Sequence, residues 1–297
     1  MEALPRTEVR SGAALDLATP RELARAFQAA DREAVAAVAA AEDALAAAIE
    51  RAAEALGAGG RVVLVGAGTS GRLAVLEAAE CIPTFACDRV VGLLAGGAPA
   101  LLRAKEGAED DRPGGARDAA ALGLEARDFL LGVTASGRTP YVFGALDAAA
   151  AAGTPAGLLC CSPPPPDAPA RALTLLLETG PEVLTGSTRL KAGTATKCAL
   201  NAVTTGAMAR LGKVMDDLMV DVVASNEKLR GRARRIVAAL APGPDPDALL
   251  AAAAGEVKTA VVAGRLGLLA PAARALLAEH GGHLRRALEA GALEAGR

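Results

Sequence analysis

Two short strings combine hydroxyl side chains with glycine at places where the chain can open a helix. Thr69-Ser70-Gly71-Arg72 follows the apolar run 62–65 and the turn Gly66-Ala67-Gly68, and Ser136-Gly137-Arg138-Thr139-Pro140 follows the apolar run 129–133. A β-branched run that gives way to small residues predicts a buried parallel strand feeding a helix N-terminus. Unpaired backbone N–H groups and the positive helix end favour a phosphate or a carboxylate there. The first string lacks the Gly-Lys-Ser/Thr ending of a nucleoside-triphosphate loop, and the third glycine of the dinucleotide fingerprint is out of place. With hydroxyls at Thr69 and Ser70, a phosphorylated small molecule fits better than a nucleotide. Each string alone is also compatible with a tight structural turn. Together they say more, because strands one and three are neighbours in a sheet ordered 2-1-3-4-5, where the winding reverses and ligands bind.

Two carboxylates could add acid–base chemistry. Glu80 lies in Glu77-Ala78-Ala79-Glu80-Cys81-Ile82-Pro83-Thr84-Phe85, where a helix is expected to give way to an apolar loop. Glu109 lies in Glu106-Gly107-Ala108-Glu109-Asp110-Asp111. By composition each is a solvated charge at a helix end. As a pair they would divide the work: a carboxyl in apolar surroundings keeps its proton and acts as an acid, while a better solvated one acts as a base.

The elements needed to position these residues are visible in the hydrophobic pattern. Apolar runs of strand length fall at 62–65, 90–94, 129–133, 156–161 and 173–177, with helix-compatible stretches at 73–79, 98–108 and 141–152. Strands alternating with helices predict an α/β fold, a doubly wound five-stranded parallel sheet. Thr19-Pro20 marks a helix start, and alanine-rich helix continues to about Leu56 with a break expected near Asp31. After the fifth run, the polar loop 180–194 leads into a helix expected over 195–211. Pro242-Gly243-Pro244-Asp245-Pro246 is a linker, and beyond it residues 250–258 weakly echo 277–285, which predicts a small helical appendage. The expected divisions are 1–57, flanking helices; 58–241, the sheet domain; and 242–297, the appendage.

Composition excludes several functions. Of 297 residues, 2% are aromatic and none is Trp, so base stacking on aromatic platforms is not expected. A net charge of −2 with interspersed signs gives no footprint for nucleic acid or membrane, and the basic run Arg230 to Arg235 reads as a solvated helix face. Residues 1–16 have no signal-peptide core, and no stretch has the length and character of a membrane span. The five cysteines, Cys81, Cys87, Cys160, Cys161 and Cys198, fit no zinc spacing and are expected to be reduced thiols in a cytoplasmic protein. His280 and His283 lack the partners of a metal site, so no metal is expected.

At Gly66-Ala67-Gly68-Thr69-Ser70-Gly71-Arg72-Leu73, Glu80 to Phe85, Ala108-Glu109-Asp110, Ala135 to Tyr141 and Gly180 to Lys197, the chain closely resembles the N-acetylmuramic acid 6-phosphate etherases of the sugar-isomerase (SIS) domain superfamily. Leu218 to Ala224, Asn226-Lys228-Leu229 and an amino-terminal Thr7-Glu8-Val9-Arg10 match too. The resemblance implies an SIS-type sheet and cleavage of the D-lactyl ether of N-acetylmuramic acid 6-phosphate. The products would be N-acetylglucosamine 6-phosphate and D-lactate, in cell-wall sugar recycling. It further implies elimination followed by hydration, no cofactor, and a homodimer.

The family's catalytic glutamates fall on Glu80 and Glu109. Glu80 is implied as the acid that protonates the departing lactate oxygen and then deprotonates water, and Glu109 as the base at C2. Thr69, Ser70, Gly71, Ser136 and Thr139, with the Gly137 N–H, are the expected phosphate ligands. Lys191 either adds charge to the phosphate or the lactyl carboxylate, or is a surface lysine at a helix start. The alternative is a sugar-phosphate-binding regulatory protein, which needs neither glutamate. A weaker third reading is an aldose–ketose isomerase, which has no reason to expel lactate.

Overall fold

The five apolar runs pair, all parallel, as β1 (Val62–Gly66), β2 (Val90–Leu94), β3 (Phe129–Thr134), β4 (Ala156–Cys160) and β5 (Leu173–Leu176), in the expected order β2-β1-β3-β4-β5. This computed structural model describes residues 4–295; the ends of the first and last expected divisions, 1–3 and 296–297, lie outside the described residues. Strands β1, β3 and β4 are buried at every position, which is why they appear as unbroken apolar runs rather than alternating ones. In register, Gly66 pairs with Leu94 on one side and Val133 on the other.

Helices α1 (Pro20–Ala40), α2 (Glu42–Gly57), α3 (Gly68–Phe85), the single turn α4 (Pro99–Leu102), α5 (Arg112–Ala121), α6 (Pro140–Ala151) and α7 (Lys191–Arg210) accompany the sheet. The described chain forms two compact units, residues 4–79 with 89–205, and residues 80–88 with 206–295; the boundaries fall inside α3 and α7.

Several local expectations are corrected. Helix α1 runs through Asp31 and breaks at Ala41 (φ −98°, ψ 24°). Asp31 is exposed with no glycine or proline beside it, and one such residue costs a helix at most ~0.7 kcal/mol. Glu42 and Asp43 instead favour the first turn of a new helix. The stretch 98–108 holds only one helical turn, because Arg103 is extended and Gly107 is left-handed (φ 72°). The chain then makes a 3-10 turn, Ala108–Asp110, and enters α5, a helix hidden from propensity by Gly114-Gly115. Helix α3 does not yield to a loop at Glu80; it passes Pro83 and closes at Phe85, where Ala86 (φ 48°) donates its N–H to the Ile82 carbonyl at 3.0 Å.

The glycines that weaken α5 as a helix let it dock. A Cβ on Gly115 would lie 1.9 Å from the Tyr141 carbonyl oxygen, and one on Gly144 would lie 1.9 Å from that of Arg112. The first turns of α5 and α6 therefore meet backbone to backbone. Tyr141 adds a hydrogen bond from its hydroxyl to Asp118 Oδ2 at 2.7 Å, and Asp111 caps α5 by accepting from Gly114 N at 2.8 Å. This contact fixes the segment carrying Glu109 against the segment that follows Thr139. At the opposite end of the strands, buried Asp128 joins the approaches to β1 and β3. It accepts from Arg61 N at 2.7 Å, from the Arg61 guanidinium at 2.6 Å and from Glu125 N at 3.0 Å. Burial alone would push its carboxyl up, but these hydrogen bonds outweigh it and hold it below the usual carboxylate range.

The second unit contains the short antiparallel pair β6 (Val214–Met215) and β7 (Leu218–Met219), then α8 (Glu227–Leu240), α9 (Pro246–Ala252), α10 (Val257–Leu266), α11 (Ala270–Glu279) and α12 (Leu284–Ala295). Its core joins Val220, Leu229, Ile236 and Val237 to Val257, Val261, Leu277 and Leu284, so residues 206–241, grouped with the sheet by the sequence reading, pack with the carboxyl-terminal helices. The weak repeat is structural: Gly255 N bonds Leu250 O at 2.8 Å and Gly282 N bonds Leu277 O at 2.7 Å, each ending one helix before the next. Among the described residues no single helix is long and apolar enough to cross a membrane.

Two stability outcomes follow. Gly144→Ala gains ~1 kcal/mol of helix propensity but must separate α5 from α6, so a net loss of about 1–2 kcal/mol is expected in urea unfolding; an unchanged midpoint would dismiss the close contact. Asp128 has a lowered folded pKa, so its stabilisation is complete above the unfolded value, about 3.9, and is lost as pH falls through the folded value. Asp128→Asn is expected to unfold more easily at pH 7 and to lose less on acidification below about pH 4 than the parent chain.

Candidate functional site

At the carboxyl end of β1 the turn is tighter than the sequence suggests, because Thr69, Ser70 and Gly71 form the first turn of α3 itself. Gly71 has no room for a side chain: a Cβ would lie 2.4 Å from the Gly66 carbonyl oxygen and 2.4 Å from Leu94 Cδ1. The glycine thus lets the helix start close over the strand end, which aims the Thr69 and Ser70 side chains outward. At the end of β3, Gly137 is left-handed (φ 73°), and a Cβ there would meet the Ser162 carbonyl oxygen at 2.8 Å. Buried Thr134 bonds Thr139 Oγ1 at 2.7 Å, and Ser136 Oγ accepts from Arg138 N at 3.2 Å, so both hydroxyls of this loop are held in place.

The two loops open on one cleft of about 460 Å³. Thr69, Ser70, Ser136 and Thr139 line it together with Glu109. Gly71 and Gly137 are not in its wall; they shape the loops from behind. The sequence reading missed Glu8, Asp110, Arg138 and Thr188, which also line it. Glu8 was within reach of the sequence, since the Thr7-Glu8 string had already been singled out. Its placement is tertiary: Thr7 is fully buried, its carbonyl accepts from Gly186 N at 3.2 Å, and Arg6 pairs with Glu178 at 2.6 Å.

Lys191 does not line the cleft. Its side chain is 5% exposed, and its ammonium bonds Glu33 at 2.5 Å and the Pro181 carbonyl at 3.1 Å. Fully buried Glu182 accepts from Lys191 N and Ala192 N, each at 2.9 Å. That carboxylate at the positive helix end lets α7 begin at Lys191, four residues before the expected start. Its partner lies nine residues away, beyond any capping pattern legible in sequence. Glu80 belongs to the second unit and is exposed on the last turns of α3, and Glu109 is exposed in the 3-10 turn before α5. Burial pushes the Cys160 and Cys161 thiols up to about 12, so neither supplies a thiolate. Among the described residues no group of three His, Cys, Asp or Glu side chains could hold a metal.

A doubly wound sheet with paired hydroxyl-glycine loops at its winding reversal defines the class, an SIS-type domain, and the family model described as "Glucokinase regulatory protein N-terminal SIS domain" matches residues 31–150. Comparison with individual relatives is more specific. The chain is 50% identical over 225 residues to the N-acetylmuramic acid 6-phosphate etherase of Streptomyces avermitilis, covering 73% of this chain and 71% of that one. It is 50% identical over 222 residues to that of Synechococcus elongatus (73% and 72%) and 49% identical over 227 residues to that of Deinococcus radiodurans (74% and 73%). The chain belongs to the N-acetylmuramic acid 6-phosphate etherase family.

If one phosphate bridges the two loops, Ser70→Ala and Ser136→Ala each remove a charge-assisted hydrogen bond. Affinity for a hexosamine 6-phosphate is then expected to fall about tenfold in each variant by titration calorimetry. The unphosphorylated sugar should bind poorly to all three proteins. Equal affinities for sugar and sugar phosphate would remove the loops from phosphate binding.

Proposed function

We propose that the protein cleaves the D-lactyl ether of N-acetylmuramic acid 6-phosphate by elimination and then hydration, acting as a cytoplasmic homodimer in cell-wall sugar recycling. The observation that carries this reading is a carboxylate, Glu109, in the same cleft as the hydroxyls of both loops. The phosphate binds Thr69, Ser70, Ser136 and Thr139 and fixes the register of the open-chain sugar. C2–H then lies next to the aldehyde, where a carboxylate can remove the proton through an enolate-like state.

Glu109 takes the C2 proton. The C3–O bond breaks with its electrons on oxygen, and the ether oxygen must gain a proton because an alkoxide leaves poorly. D-lactate departs and leaves a 2,3-unsaturated sugar. Water adds at C3 and a proton returns to C2, giving N-acetylglucosamine 6-phosphate. Glu80 supplies the leaving-group proton and later deprotonates the water, a role that rests on its match to the family motif. An acid and a base each contribute roughly 10²–10⁴ in rate. A regulatory binder would have no use for Glu109 in the cleft.

Release of D-lactate from N-acetylmuramic acid 6-phosphate is the direct test. Glu80→Gln and Glu109→Gln are each expected to lower kcat at least a hundredfold while hexosamine 6-phosphate binding stays within a few-fold of the parent. In D₂O the product should carry deuterium at C2, and in ¹⁸O-water the label should enter at the C3 hydroxyl and stay out of lactate. Unexchanged C2–H with labelled lactate would mean that the elimination and both assigned roles are wrong.

A further inference from the structure

We infer that a side cavity beyond Glu109 is the subsite for the carboxylate of the leaving hydroxy acid, and that Lys105 is the side chain that binds it. The inference rests on the etherase reading above and names a specificity element within it. The cavity, about 180 Å³, shares Ala67, Gly68 and Glu109 with the larger cleft. Glu109 therefore stands on the wall between the space for the phosphosugar and a smaller space. A base acting at C2 has the ether oxygen of C3 close by, so the three-carbon acid on that oxygen must extend past it. The smaller cavity has room for such a group.

Its charges fit the same occupant. Arg72 and Lys105 line the side cavity and do not line the larger cleft, and Glu106 lies on the same wall. A leaving group that carries a carboxylate is repelled by an ionised Glu109 beside it, unless cations face it. Arg72 is half-buried, and its Nε donates to the Ala100 and Leu101 carbonyls at 3.0 and 3.2 Å, which fixes the guanidinium against α4. The Lys105 ammonium has no hydrogen-bond or ion-pair partner among the described residues. Its stem is nonetheless placed, since a Cβ on left-handed Gly96 (φ 83°) would lie 2.8 Å from Lys105 Cδ. Only Nε of Arg72 is spent on α4, so its guanidinium adds fixed positive charge to the wall, and the Lys105 ammonium is the unpaired, movable donor beside it for an incoming carboxylate. The charged group on the leaving acid is thereby recognised separately from the phosphate.

Lys105→Met keeps the stem over Gly96 and removes only the charge. Losing one charge-assisted hydrogen bond should raise KM for N-acetylmuramic acid 6-phosphate about tenfold to a hundredfold. Binding of N-acetylglucosamine 6-phosphate, which lacks the acid, should change less than about twofold by this reasoning. Lys105→Arg should restore most of the loss, and the lactyl amide of the substrate should be as poor for the parent as for the methionine variant. A uniform weakening of both sugar phosphates, or no change in either, would overturn the subsite. Failure of the etherase reading would be seen separately, as absence of lactate release by the parent protein. Direct titration of the two sugar phosphates still compares the subsite in that case, and an unchanged affinity ratio would overturn it.

Discussion

The candidate site depends on the pairing of β1 with β3. Gly66 faces Val133 across that pair, so the loops leaving the two strands emerge side by side at one edge of the sheet. The winding reverses there, because β2 lies beyond β1 while β4 lies beyond β3. Crossover helices therefore leave in opposite directions and open a crevice that no helix fills. Asp128 holds the other end of the same pair through four hydrogen bonds from two neighbouring segments. The cleft lined by Ser70, Ser136 and Glu109 is the geometric consequence of these parallel strands being adjacent.

Glycine converts this adjacency into a shaped site. Gly71 lets α3 begin almost on top of Gly66, and Gly115 with Gly144 lets α5 and α6 touch through their backbones. Each is a position where a methyl group would collide with a carbonyl oxygen, so the helix propensity lost at these residues is exchanged for close approach. The effect reaches function because Glu109 precedes α5 by a short turn, while Ser136 and Thr139 precede α6. Docking two helices thereby positions a carboxylate relative to hydroxyls distant from it in sequence. Buried charge does similar work around α7, where Glu182 satisfies the first backbone donors and Lys191 is tied to Glu33. A lysine held this way organises the loop 180–190 from within.

Much of the fold was legible in the chain. Apolar runs identified all five strands, because buried parallel strands need no polar face, and the two hydroxyl-glycine strings indicated which strand ends matter. Helices were read less well wherever packing overrode propensity: α5 was hidden by its glycine pair, and 98–108 proved mostly irregular. Of the candidate site residues, Thr69, Ser70, Glu109, Ser136 and Thr139 line one cleft, whereas Gly71 and Gly137 shape it and Lys191 is paired elsewhere.

The sequence by itself therefore determined the class of fold, the family and the two strand-end loops, since each is written in local pattern: hydrophobic period, turn glycines and hydroxyls at fixed spacing. Tertiary structure alone decided which side chains share a space. Glu8 reaches the cleft because buried Thr7 and the Arg6–Glu178 pair fasten the amino-terminal segment to a distant part of the chain. Lys105 faces a cavity because α4 ends after one turn and Gly107 folds the chain back. Contacts of that kind depend on excluded volume and on buried charges meeting their partners across long separations, and no local pattern in the chain records them.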